Sequence, residues 1–136
     1  MSDEILLAQL RHQFASTHWP RIDGLTRCEH QCRLDIFIGG DMHWLQGHFP
    51  QQPVVAGVVQ THWAGEIAKQ IFATGDEVIR IDNLKFQQVI LPEQCLQLTL
   101  EHQLASDSCA IKFRYSKDEI LFSEGKLVFN SQASSQ

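Results

Sequence analysis

Apolar residues recur at the helical period in one long stretch of the chain and at alternate positions in most of the remainder. Val58, Val59, Trp63, Ile67 and Ile71, with Ala64, Ala68 and Phe72 beside them, predict a helix over 57–72 that Gly75-Asp76 ends. Near the start, residues 3–14 read as a short amphipathic helix with Ile5, Leu6, Gln9, Leu10 and Phe14 as its stripe and Ser2 or Asp3 as its cap. Residues 16–24 hold Pro20 and Gly24 and read as irregular. Residues 32–40 then alternate, with Leu34, Ile36 and Ile38 on one face and Arg33, Asp35 and Phe37 on the other, until Gly39-Gly40 stops the strand.

Beyond the long helix the period is two. Residues 78–91 read as a long strand with an irregularity at Asp82-Asn83, closed by Pro92-Glu93. Leu96, Leu98, Leu100 and Leu104 alternate up to a turn at Ser106-Asp107-Ser108. Ile111, Phe113 and Tyr115 alternate again, Lys117-Asp118 turns, and 119–129 is the last strand, with Gly125 expected to mark a bulge or kink. Strands joined by such short turns are antiparallel. Their apolar face needs a cover, and only one long helix is available to supply it. The expected class is α+β, an antiparallel sheet of about five or six strands wrapped around one long central helix.

Length and charge narrow the function. A chain of 136 residues fits a single domain over 1–136, with its N-terminal helix within 1–16 and a flexible tail at 131–136. The net charge of −5, without any basic run, argues against nucleic acid. No apolar window approaches the roughly 20 residues that span a bilayer, and the acidic start MSDEILLAQLRHQF lacks a signal peptide's basic region, so a cytoplasmic protein is expected. The four cysteines are then reduced thiols. Cys28, His30 and Cys32 offer only three soft ligands, so strand residues near a sheet edge are the preferred reading over a metal site. His12, His18, His43 and His102 have no partner at metal-ligand spacing.

The candidate chemistry lies at the start of the long helix, in GHFPQQPVVAGVVQTHWAGEIAKQIF over 47–72. His48-Phe49-Pro50, then Pro53, then Gly57-Val58-Val59, resembles the HFPGxPxxPG segment of bacterial 3-hydroxyacyl-ACP dehydratases of the hotdog fold. Ile81-Asp82-Asn83-Leu84-Lys85-Phe86 through Leu91-Pro92 is also similar to that family, and the likeness spans 19–129. The resemblance implies a hotdog dimer or higher homo-oligomer, acting without a cofactor on an acyl carrier protein or CoA thioester. It implies that His48 takes the C2 proton and that the Gly57 N–H polarises the thioester carbonyl. Phe49, Val54, Val55 and Val58 would line the acyl channel. The product would be the trans-2-enoyl thioester of fatty-acid or polyene-type biosynthesis.

One position departs from that pattern. The family's acidic residue, which the partner subunit's helix brings to the site to handle the C3 hydroxyl and the water, stands fourteen positions after the histidine, and here that place holds His62. Gln51 also replaces the glycine after HFP, and Ala56 the proline before Gly57. The nearest helix carboxylate is Glu66, one turn on along the same flank. Three readings stay open. His62 replaces the carboxylate, since imidazole exchanges protons near neutrality; or Glu66 is the acid; or the chain is a thioesterase or an acyl-thioester-binding subunit whose partner brings the missing group.

Overall fold

A computed structural model describes residues 2–41, 54–104 and 109–130. It contains α1 (Asp3–Gln13), β1 (Arg21–Cys28), β2 (Gln31–Ile38), α2 (Gly57–Ile71), β3 (Val78–Phe86), β4 (Gln94–Leu104), β5 (Cys109–Lys117) and β6 (Ile120–Phe129). The strands form one six-stranded sheet in the order β1-β2-β4-β5-β6-β3, and every neighbouring pair is antiparallel. This is the α+β antiparallel sheet around one long helix that the alternation predicts, in the hotdog arrangement that the resemblance implies.

The inner face of the sheet is a contiguous apolar surface. Cys32, Leu34, Ile36 and Ile38 of β2 lie beside Leu96, Leu98 and Leu100 of β4, then Ile111, Phe113 and Tyr115 of β5 and Leu127 and Phe129 of β6, all buried. Against it α2 turns Val59, Trp63, Ala64, Ile67 and Ala68. The other face carries Arg33, Thr99, Arg114 and Glu124 in register, and Arg114 reaches Glu124 at 3.5 Å.

Several sequence expectations change. Val58 belongs to the helix but not to the core, at 75% exposure. In α1 the buried residues are Leu6, Leu10 and the C-cap Phe14, whereas Ile5 and Gln9 face solvent. Ser2 is the N-cap, its hydroxyl accepting from the Ile5 N–H at 3.2 Å. The segment expected to be irregular starts a strand at Arg21, and a register shift between Ile22 and Gly24 breaks the alternation that would have disclosed it. β3 ends at Phe86, earlier than expected; beyond it the Gln87 and Gln88 N–H groups both donate to the Phe122 carbonyl.

Gly125 does mark a bulge, but the extra residue is on the neighbouring strand. The β3 register shifts between Asp82 and Lys85, which pair with Lys126 and Glu124 on either side of Gly125, and Asn83 has φ 54°; on the β5 side Gly125 stays in register opposite Phe113. Gly125 is required for space as well: a Cβ there would stand 2.8 Å from the Phe113 ring and 3.0 Å from Leu84. Cys28 ends β1 on the exposed surface and Cys32 is buried in β2, as expected of strand residues, and no metal-binding group of three side chains occurs among the described residues. The turn at 106–108 and the tail lie outside the described residues.

Two outcomes follow from this packing. Gly125→Ala presses on a fully buried ring, so thermal unfolding should show a loss of about 1–3 kcal/mol, the ordinary cost of overpacking. Burial pushes the Cys32 thiol up to about 12. Iodoacetamide at mildly alkaline pH should therefore label exposed Cys28 and Cys95 in the folded protein, and Cys32 and Cys109 only after denaturation. Peptide mapping that finds Cys32 labelled as fast as Cys28 would contradict the packing.

Candidate functional site

The start of α2 is electrostatically bare. Its N-cap is Ala56, which makes no side-chain capping bond, and its first turn holds no acidic residue. The Val59 and Gln60 N–H groups donate to the Ala56 carbonyl at 3.0 and 3.1 Å. The positive end of the helix dipole is thus met by no acidic side chain of its own first turn, an arrangement suited to a developing negative charge. Gly57 is constrained at the same point. A Cβ on it would stand 2.6 Å from the Phe86 ring, so any larger residue there would have to displace that ring.

The entering backbone is held to the end of the β3 excursion by the Val55 N–H, which donates to the Ile90 carbonyl at 2.8 Å. Val55 is buried in the core and Val54 is half-buried, while Val58 is exposed. Three residues expected to share an acyl channel therefore differ in exposure. His48 and Phe49 lie outside the described residues.

One turn into α2, His62 is exposed, and its ring stacks on Trp19 at 5.3 Å between centroids and 25° between planes. Trp19 is itself braced edge-on by Phe14 at 4.5 Å. The indole N–H of buried Trp63 donates to the His18 carbonyl at 2.9 Å, which ties the segment before β1 to the same helix. The spacing of the sequence places His62 and Glu66 correctly on one flank. Both line a groove with Val58, Thr61, Gly65 and Lys69 on the helix side and Val78, Ile81 and Leu127 on the sheet side. Within it the Glu66 carboxylate accepts from the Lys69 ammonium at 2.8 Å.

Sequence reasoning missed other polar residues. Gln60 and Ser123 are buried together and hydrogen-bonded, with Tyr115 beneath them; a glutamine on an otherwise apolar helix face was the available signal. The Cys109 thiol lies 3.1 Å from His102 Nε2. Burial pushes this thiol up, and burial followed by the nearby His30 pushes the imidazole down, so both shifts favour the neutral forms over a thiolate–imidazolium pair.

Comparison with solved structures gives the fold independent support. The chain is similar to the dehydratase heterocomplex ApeI:P from Xenorhabdus doucetiae, with 26% identity and a TM-score of 0.72 over 82% of this chain and 98% of that one. An uncharacterized protein from Erwinia carotovora matches at 24% identity and a TM-score of 0.63, over 86% of this chain and 98% of its own. A sigma28-regulated virulence protein from Campylobacter jejuni shares the fold alone, at 13% identity and a TM-score of 0.67 over 98% of this chain and 94% of that one. No curated protein matches the sequence significantly. The family model for ApeI-like dehydratases matches residues 25–126, a span that contains β2, the bare helix start, the His62 flank and β5. The chain belongs to the ApeI-like dehydratase family.

Proposed function

We propose that the protein removes water from a 3-hydroxyacyl thioester, carried by acyl carrier protein or CoA, to give the trans-2-enoyl thioester. The observation that carries this reading is the pairing of an uncapped helix start at Gly57 with His62 one turn along on an exposed flank. The thioester carbonyl would accept from the Gly57 N–H, which stabilises the enolate formed when His48 takes the C2 proton. His62 would then give a proton to the departing C3 hydroxyl, which leaves as water. Imidazole suits this step because both of its forms are accessible near neutrality. Glu66 is the weaker candidate for the acid, since Lys69 already engages its carboxylate.

A two-subunit site accords with the exposed apolar surface. Val58 of α2 and Val78, Ile81, Leu84 and Phe86 of β3 are all at least 37% exposed, and the last four pair with or approach residues of the inner sheet face. A second hotdog subunit laid along β3 would bury this strip and bring its own helix flank to the groove. A second copy is the simplest such subunit. The ApeI:P relative, a heterocomplex, favours a second reading in which a different chain supplies the carboxylate absent at position 62.

Incubating the protein with short and medium 3-hydroxyacyl thioesters should yield products lighter by one water, detected by mass spectrometry, and His48→Ala should abolish them. Release of free acid would point instead to a thioesterase. Inactivity of the pure chain, restored by a co-expressed partner, would select the heterocomplex.

His62→Ala should lower kcat by about 10²–10⁴-fold, the usual worth of a general acid, while Glu66→Gln should stay within about threefold of the parent. Reversal of that order would assign the proton to Glu66.

A further inference from the structure

We propose that Gln60, Ser123 and Tyr115 form a buried clamp that sets the direction of the Gly57 N–H, making them positioning residues of the dehydratase site. The proposal rests on the dehydratase reading above and adds residues that act through Gly57. Gln60 is 3% exposed and Ser123 0%, the two buried polar residues among the described ones. The Gln60 carboxamide is used at both ends: its Nε2 donates to the Val55 carbonyl at 3.0 Å, and its Oε1 accepts from Ser123 Oγ at 2.6 Å. Its backbone carbonyl accepts from the Tyr115 hydroxyl at 2.7 Å. One residue in the first turn of α2 is thereby fastened to β5, to β6 and back to the strand-like segment that enters the helix.

The return to Val55 gives the arrangement its direction. Val55 stands two residues before Gly57, and its N–H is already held by the Ile90 carbonyl at 2.8 Å. With its carbonyl held by Gln60 as well, the peptide groups on both sides of Val55 are fixed. Ala56, at φ −64° and ψ 150°, then presents Gly57 in one orientation. Ala56 has no capping side chain that could do this work, and Phe86 packs against Gly57 from the other side. A local N-cap would bond the Val58 or Val59 N–H and would not fix the Gly57 donor that the reaction uses. A clamp from behind holds the backbone that leads into Gly57 itself.

Burial of an amide and two hydroxyls is tolerated because each is hydrogen-bonded, and no buried side-chain polar atom among the described residues lacks a partner. An apolar side chain of glutamine's size would fill the same space without that requirement. The polar choice therefore supplies geometry as well as volume. Geometry matters at this position: displacement of a reacting or stabilising group by about 1 Å costs on the order of 10²-fold in rate.

Two volume-conserving or truncating variants test the clamp, Gln60→Met and Ser123→Ala, with Ser123→Thr retaining the hydroxyl. Steady-state kinetics on a 3-hydroxyacyl thioester are paired with the nitrogen–proton NMR signal and hydrogen exchange of the Gly57 amide. We expect kcat to fall by about tenfold to 10²-fold at little-changed KM, a shifted and faster-exchanging Gly57 amide, and recovery in Ser123→Thr. Variants that melt earlier but keep kcat and the Gly57 signal would reduce the cluster to a packing role and overturn the proposal. A parent protein that dehydrates no thioester would remove the dehydratase reading and with it the catalytic purpose. The Gly57 amide would still decide, separately, whether the clamp holds the helix start.

Discussion

A single helix must cover the inner face of a six-stranded sheet, and the depth to which Trp63 is buried shows how that is done. Its indole fills the centre of the interface while its N–H finds the His18 carbonyl, so the largest apolar side chain of the helix carries no unsatisfied donor. Small residues around it, Ala64 and Ala68, let α2 sit close to the sheet. From this placement follow the position of the helix start beside Phe86, the exposure of the flank bearing His62, and the tether on the segment before β1.

A helix buried so fully has few residues left to meet a substrate. The available surface is one flank and one end, and the chain's unusual residue choices are concentrated there. Val58 is left exposed, His62 is stacked on Trp19 instead of being packed in the core, and Ala56 leaves the terminus without a cap. Each would be a defect in a purely structural helix. Together they place an uncapped helix start, an imidazole ring and an apolar strip within two turns of one another.

Much of this could be read from the residues. The period-two runs of β2, β4, β5 and β6 and the helical period of α2 survive folding because each element meets one broad apolar surface. β1 was hidden because its bulge between Ile22 and Gly24 shifts the alternation in the middle of an eight-residue strand. Gly125 is a different case: glycine marks both irregular backbone and close approach, and here it does both, opposite the β3 bulge and against the Phe113 ring. At the site, His62, Glu66 and Gly57 are neighbours on one helix, so spacing alone relates them. Gln60 and Ser123 are 63 positions apart. Their meeting depends on the register of β6 against the rest of the sheet, which no local pattern carries.

The irregularity in β3 bears on how the exposed edge of the sheet behaves in a newly made chain. An edge strand with apolar residues along it is a template for further strands, and repeated addition leads to fibres. Here the bulge at Asn83 interrupts the row of edge donors and acceptors, and the ion pair of Arg80 with Asp82 at 2.9 Å places two charges just before the break. Such an edge accepts a matching, equally interrupted strand far better than a long flat one. The same kink that adapts β3 to its neighbour in the sheet thus guards a newly made chain against aggregation.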